Sequence, residues 1–103
     1  LSRAFAVQGA CYVISASVNM TADDIPERLR HLASPLIGES IIVDPRGEVV
    51  ARSERGQECI TTAQADLDLI RAAKSVNDIS GHYARPDVFD LRVKGRSVYG
   101  ENT

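Results

Sequence analysis

Along residues 1–10, Leu1, Ala4, Phe5 and Val7 recur at three-to-four-residue spacing, the mark of a helix with one buried stripe. Gly9 is expected to end it. Cys11-Tyr12-Val13-Ile14-Ser15-Ala16 follows with aromatic and β-branched side chains and almost no alternation, which predicts a strand covered on both faces in a central sheet. Residues 18–39 are more polar, and 24–32 predict a short helix. Asp24 would cap it, Pro26 fits its first turn and Glu27 stands three residues after the cap. Pro35 and Gly38 close this excursion.

A strand over 39–44, a turn at Asp44-Pro45-Arg46-Gly47 and a returning strand over 48–51 predict a β-hairpin. Pro45 presets φ at the second turn position, and Gly47 tolerates the conformation that follows. A charged, Gly56-containing loop spans 52–58, and 59–65 read as a third strand of the same set. Asp66 then caps a helix to about Asn77, with Asp68 in its positive first turn and Leu69, Ile70, Ala73 and Val76 on one face. In the tail, Pro86 forces Arg85 out of the helical region. Strand-like residues 91–93 precede a charged, glycine-containing terminus for which disorder is expected.

Composition narrows the class. A chain of 103 residues allows one domain, and 44% hydrophobic residues without low-complexity tracts exclude disorder. Net charge is −2, from 12 basic and 14 acidic residues that are interspersed; nucleic-acid binders instead concentrate Lys and Arg. Apolar runs such as Leu36-Ile37 and Ile41-Ile42-Val43 are far short of the roughly 20 residues of a membrane span. The two cysteines, Cys11 and Cys59, offer neither a metal-ligand spacing nor a disulfide framework, so a reducing cytoplasm is expected, with no metal and no cofactor. The start, Leu1-Ser2-Arg3-Ala4-Phe5-Ala6-Val7, lacks an initiator Met and the pattern of a signal peptide, and reads as the interior of a longer protein.

Taken in order, these elements resemble the C-terminal part of a nitrilase, within the carbon–nitrogen hydrolase superfamily. Arg3-Ala4-Phe5-Ala6-Val7-Gln8-Gly9 leading into Cys11-Tyr12-Val13 carries the resemblance, with Gly38-Glu39-Ser40 before residues 41–45 and Gly47, and Ala65-Asp66-Leu67-Asp68-Leu69-Ile70. Most specific is Gly81-His82-Tyr83-Ala84-Arg85-Pro86-Asp87-Val88-Phe89, a run similar to that of nitrilases proper. Gln8 stands where relatives commonly carry Glu, and Glu39 at a position that is often Gly. The resemblance implies an α/β fold, part of a four-layer α-β-β-α sandwich. It also implies a Glu–Lys–Cys triad in which Glu is the general base, Cys attacks the nitrile carbon and Lys stabilises developing charge. In such enzymes the triad lies upstream of the helix that starts here, so residues 1–103 are expected to be a C-terminal fragment of one hydrolase domain without its nucleophile, and 81–103 a tail for docking or assembly.

Glu58, Cys59 and Lys74 supply the triad types by name, but a nucleophilic thiol needs a neighbouring cation or helix N-terminus and an accessible turn, whereas Cys59 falls in a predicted strand. Cys11 matches a cysteine that nitrilases often carry without catalytic use. His82 is read as a hydrogen-bonding anchor with Tyr83, Arg85 and Asp87 as local partners, and Arg85-Pro86-Asp87 as a rigid turn braced by opposite charges. His31 and Lys74 are expected on solvated helix faces. Ser15, Ser17 and Asn19 follow the end of a strand, where layered α/β proteins bind ligands, and are the candidates to line a substrate pocket. Residues 20–36 either cover a pocket or make a subunit contact.

The expected function is that of a segment of an enzyme converting a small organic nitrile to a carboxylic acid and ammonia. The alternatives are a cyanide-hydrolysing or amidase relative and a non-catalytic assembly module. Expected partners are the upstream half of the same enzyme and further copies of it in a homo-oligomer. With apolar strands lacking their covers, the isolated chain is expected to self-associate.

Overall fold

The computed structural model describes residues 1–98. Its elements in chain order are α1 (Ser2–Gly9), β1 (Val13–Ser15), β2 (Asn19–Met20), β3 (Leu36–Ile37), β4 (Ile41–Val43), β5 (Val49–Arg52), α2 (Leu67–Val76), β6 (Arg92–Val93) and β7 (Arg96–Ser97). The chain is mixed α/β. Its main sheet has the order β1-β4-β5 and is antiparallel throughout; β2–β3 and β6–β7 are separate two-stranded ribbons.

The main sheet grows from the predicted hairpin. The backbone N–H of Gly47 donates to the Asp44 carbonyl at 2.9 Å and that of Asp44 to the Glu48 carbonyl at 2.9 Å, so the turn closes where Pro45 and Gly47 put it. Gly47 has φ +83°, and a Cβ there would lie 2.9 Å from Val7 Cγ2. Glycine is required on both counts, by the left-handed backbone and by the approach of α1. Between Ile42 and Val43 the β4–β5 register shifts at a bulge, so that Ile41 faces Arg52 and Val43 faces Val49.

α1 packs against β1 and β4. Its predicted extent holds, but its buried side is Ala6 and Ala10, not the Leu1, Ala4, Phe5 and Val7 stripe. Phe5 remains 64% exposed, because the sheet touches only the small-residue side of the helix. Ala10, not Gly9, takes the left-handed cap (φ 47°), and its N–H and that of Cys11 reach back to the carbonyls of Val7 and Ala6. The core therefore sits where Ala6 and Ala10 meet Val43, Asp44, Pro45 and Gly47, all buried.

Several other expectations are corrected. β1 is an edge strand of three residues, not a central one, because β4 alone pairs with it, and Ile14 is 77% exposed. Residues 24–32 form no α-helix; two 3-10 turns, Ala22–Asp24 and Glu27–Leu29, replace it. The cap falls one turn earlier than predicted: Asp24 Oδ2 accepts from the backbone N–H (2.7 Å) and hydroxyl (2.8 Å) of Thr21. These bonds, the backbone one foremost, lower the Asp24 pKa below its ordinary value. Residues 59–65 form no strand. α2 matches its prediction, with Asp66 Oδ1 accepting from the Asp68 N–H at 2.9 Å. It buries none of its apolar face completely.

The Cα radius of gyration is 19.7 Å, well above the about 13 Å of a compact domain of 100 residues. Accessible surface tells the same story, 8376 Å² against about 5,700 Å² for a folded monomer of this mass. Among the described residues no helix is long and apolar enough to cross a membrane.

Candidate functional site

Polar side chains converge on one place, the end of the main sheet where the chain leaves β1 and β5. A cleft of about 230 Å³ is lined by Ser17, Asn19, Gly38, Ser40, Ser53, Gln57, Glu58 and Cys59. A second hollow of about 190 Å³ adjoins it, sharing Ser40 and Cys59 and adding Ser15 with Ile14, Ala16, Ile41, Ile42 and Thr61. The three pocket candidates thus fall around one site: Ser17 and Asn19 in the larger cleft, Ser15 in its neighbour.

The walls are held by backbone bonds to small hydroxyls. The N–H of Ser40 donates to Ser53 Oγ at 2.7 Å, the N–H of Ser53 returns to the Ser40 carbonyl at 2.9 Å, and the N–H of Ser17 donates to Ser40 Oγ at 3.0 Å. Asn19 Nδ2 donates to the Gly56 carbonyl at 3.0 Å. A Cβ on Gly38 would lie 2.2 Å from Ser17 Oγ and 2.4 Å from the Val18 carbonyl, so the strand entering β4 passes too close to the chain leaving β1 for any side chain there. Beside the cleft, Arg52 Nη1 pairs with Glu39 Oε1. The Ser40 and Ser53 hydroxyls serve here as acceptors, and Asn19 Nδ2 as a donor. Asn19 Oδ1, the Gln57 side-chain amide and the Glu58 carboxylate remain without a hydrogen-bond partner among the described residues.

Ser40, Ser53 and Gln57 line the same cleft and were not among the sequence candidates. The signal for Ser40 and Ser53 was the hairpin itself, since Ser53 sits opposite Ser40 once the bulge is counted. Without the bulge, Arg52 would take that place.

The remaining candidates are dispersed. Cys59 is exposed, its Sγ 3.9 Å from Thr61 Oγ1, and Glu58 shares its cleft; Lys74, on exposed α2 surface, does not line it. No thiol–amine–carboxylate set is assembled there. Cys11 is half-buried at the end of α1, and His31 is exposed. Among the described residues no group of three His, Cys, Asp or Glu side chains is placed to hold a metal ion.

In the tail, Arg85 Nε and Nη2 donate to the two carboxylate oxygens of Asp87 at 2.8 and 2.6 Å, a bidentate pair spanning Pro86. This bond holds Asp87 below the ordinary carboxylate value and raises Arg85. The brace matches the expectation. His82 does not join it: its ring lies against that of Tyr83, centroids 4.5 Å apart, and among the described residues no hydrogen bond links it to Arg85 or Asp87. Val88, Phe89, Leu91 and Val93 are all more than half exposed. Residues 99–103, the end of that tail and the terminus expected to be disordered, lie outside the described residues.

One carboxylate is fully buried. Asp44 Oδ1 accepts from the backbone N–H of Arg46 (2.8 Å) and Glu48 (3.1 Å), and Oδ2 from Arg46 Nε and Nη2 at 2.9 and 2.6 Å. Burial acts to raise its pKa, but the Arg46 hydrogen bond, the two backbone donors and the Arg46 charge together outweigh burial and lower it. Asp44 thus locks the hairpin tip against which α1 packs, with Arg3 Nε donating to the Gly47 carbonyl at 2.6 Å.

Comparison with known proteins shows the family. Residues 1–75 match the family model described as Carbon-nitrogen hydrolase. An aliphatic nitrilase of Sinorhizobium fredii is 42% identical over 97 residues, covering 88% of this chain and 32% of that protein. Nitrilase 3 of Arabidopsis thaliana is 34% identical over 99 residues, 85% of this chain and 29% of its own length. A bifunctional nitrilase/nitrile hydratase of Nicotiana tabacum is 33% identical over 103 residues, 90% and 30% respectively. The chain spans about a third of the length of the curated relatives it matches. With the family model running through α1, the main sheet, the cleft and most of α2, the chain belongs to the carbon-nitrogen hydrolase family, as a nitrilase-type region of it.

Proposed function

We propose that this chain is the C-terminal segment of a nitrilase, supplying one wall of a substrate pocket to an active centre whose Glu, Lys and Cys lie on the portion preceding residue 1. The observation that carries the reading is the similarity to nitrilases over 85 to 90% of the chain. The absence of Lys74 from the cleft that Cys59 and Glu58 line supports it from the other side, because a nucleophilic thiol needs a base and a cation within hydrogen-bond reach. In the complete enzyme, the Cys thiolate adds to the nitrile carbon. Two waters then convert the thioimidate to a carboxylic acid and ammonia and return the thiol. Ser15, Ser17 and Asn19 contribute hydroxyl and amide groups that orient the substrate. The complete enzyme is a cytoplasmic homo-oligomer to which residues 81–103 contribute a docking tail, and its body is a four-layer α-β-β-α sandwich.

Ammonia release from a panel of nitriles tests the reading. The purified chain alone is expected to release none. A chimera in which it replaces the matched segment of the Sinorhizobium fredii aliphatic nitrilase is expected to turn over nitriles, with KM raised by Asn19→Ala. Ammonia from the chain alone, abolished by Cys59→Ala or Cys11→Ala, overturns the proposal; so does a folded chimera with no turnover. Amide among the chimera's products would place it with the bifunctional relatives from Nicotiana tabacum.

A further inference from the structure

The cleft at the end of the main sheet is polar, but the groups it leaves unused are not balanced in kind. Ser40 Oγ and Ser53 Oγ each accept a backbone N–H, and Asn19 Nδ2 donates to the Gly56 carbonyl. That last bond decides which atom of Asn19 is left over, namely Oδ1, an acceptor. Gln57 Oε1 and the Glu58 carboxylate, on the same lining, are acceptors without a partner among the described residues; the free donor beside them is Gln57 Nε2. Of the cleft's lining residues Glu58 alone is an Asp, Glu, Lys, Arg or His. Arg52 and Arg55, the cations of the adjoining chain, do not line it, and the Arg52 guanidinium is held by Glu39. Glu58 is exposed, so pairing with it carries little desolvation cost and has correspondingly modest strength.

Such a lining suits a ligand that donates hydrogen bonds and carries positive charge. An alkylammonium has N–H donors and no acceptor, and it meets here free acceptors on Asn19, Gln57 and Glu58, the last of them anionic. A carboxylate-bearing ligand would face Glu58 as a like charge. A purely apolar one would strip water from all three acceptors and return no hydrogen bond. We propose that this cleft is a subsite for a protonated amine, and that Glu58 is the specificity-determining residue, favouring nitriles that bear an ammonium group remote from the C≡N bond. The proposal rests on the reading of the chain as one wall of a nitrilase pocket.

The chimera with the Sinorhizobium fredii aliphatic nitrilase tests it by steady-state ammonia release from two substrates. One is δ-aminovaleronitrile, protonated on its amine at neutral pH; the other is hexanenitrile, which has methyl in place of ammonium. The ratio of their kcat/KM values, aminonitrile over hexanenitrile, should fall about fivefold on Glu58→Gln, through KM and not kcat. Glu58→Asp should retain the ratio, and about 1 M salt should lower it in the unsubstituted chimera. Glu54→Gln, which removes a like charge from the same loop but not from the cleft lining, should leave it unchanged. If the chimera does not fold, a narrower graft of residues 53–59 alone into the same nitrilase carries the same comparison. A ratio that changes less than about twofold on Glu58→Gln, that falls through kcat alone, or that falls equally on Glu54→Gln overturns this inference while the nitrilase reading stands. A folded chimera that turns over no nitrile overturns that reading, and this inference with it.

Discussion

The corner where α1 meets the β4–β5 hairpin and the tail from Asn77 to Val98 contain similar residue types and are built in opposite ways. In the corner, Arg3 bonds Gly47 across 44 positions of sequence, and Ala6, Ala10, Val43 and Asp44 are buried together. In the tail nearly every bond is local: Asp78 Oδ1 accepts from the Gly81 N–H, the Arg85 carbonyl accepts from the N–H groups of Val88 and Phe89, Arg85 holds Asp87 and Arg92 holds Asp90. Its apolar residues stay exposed. Local bonds give a chain a shape; only long-range burial gives that shape a free-energy minimum of its own. The tail has local bonds and no core of its own among the described residues.

Substitutions can break that contrast, and the largest effect is expected at Gly47. Gly47→Ala combines the left-handed backbone penalty with a Cβ 2.9 Å from Val7 Cγ2, a loss of about 3 kcal/mol in urea denaturation. A smaller cost would mean that α1 swings away from the hairpin at little expense. Val43→Ala removes a fully buried side chain and should cost about 2 kcal/mol; a neutral result would show the corner is not a core.

Asp44 sharpens the contrast through pH. Because its folded pKa lies below the ordinary 3.8, its contribution to stability is fully present above that value and is lost as pH falls through the lowered folded pKa. Melting temperature against pH should therefore fall below about pH 4, and the fall should flatten in Asp44→Asn, at the cost of lower stability at neutral pH. An unchanged acid limb in that variant would refute the assignment. The smallest effect is expected in the tail: Phe89, 66% exposed, should cost within about 0.5 kcal/mol on Phe89→Ala in the isolated chain. In the nitrilase chimera the same change should lower the melting temperature further or weaken assembly, with the pH–rate profile unchanged. Equal effects in both settings would mean that the tail docks on nothing.

Local chemistry determined much of this molecule from its sequence. The Asp44-Pro45-Arg46-Gly47 turn, the Asp66 cap of α2, the extent of α1 and the Arg85–Asp87 brace across Pro86 each depend on residues within a few positions of one another, and each lies where the sequence puts it. The run of family-like motifs was legible for the same reason. Tertiary structure decided the rest. Which face of α1 is buried depends on where the sheet lies, and the sheet selects Ala6 and Ala10 over Phe5 because small side chains let helix and hairpin approach. Whether residues 59–65 are a strand depends on a partner, since a strand's hydrogen bonds, unlike a helix's, belong to two segments. The cleft turns on one further residue at the β4–β5 bulge: it shifts the register by one, sets Ser53 in place of Arg52 opposite Ser40, and so lines with hydroxyls a wall that an unbroken hairpin would line with a guanidinium.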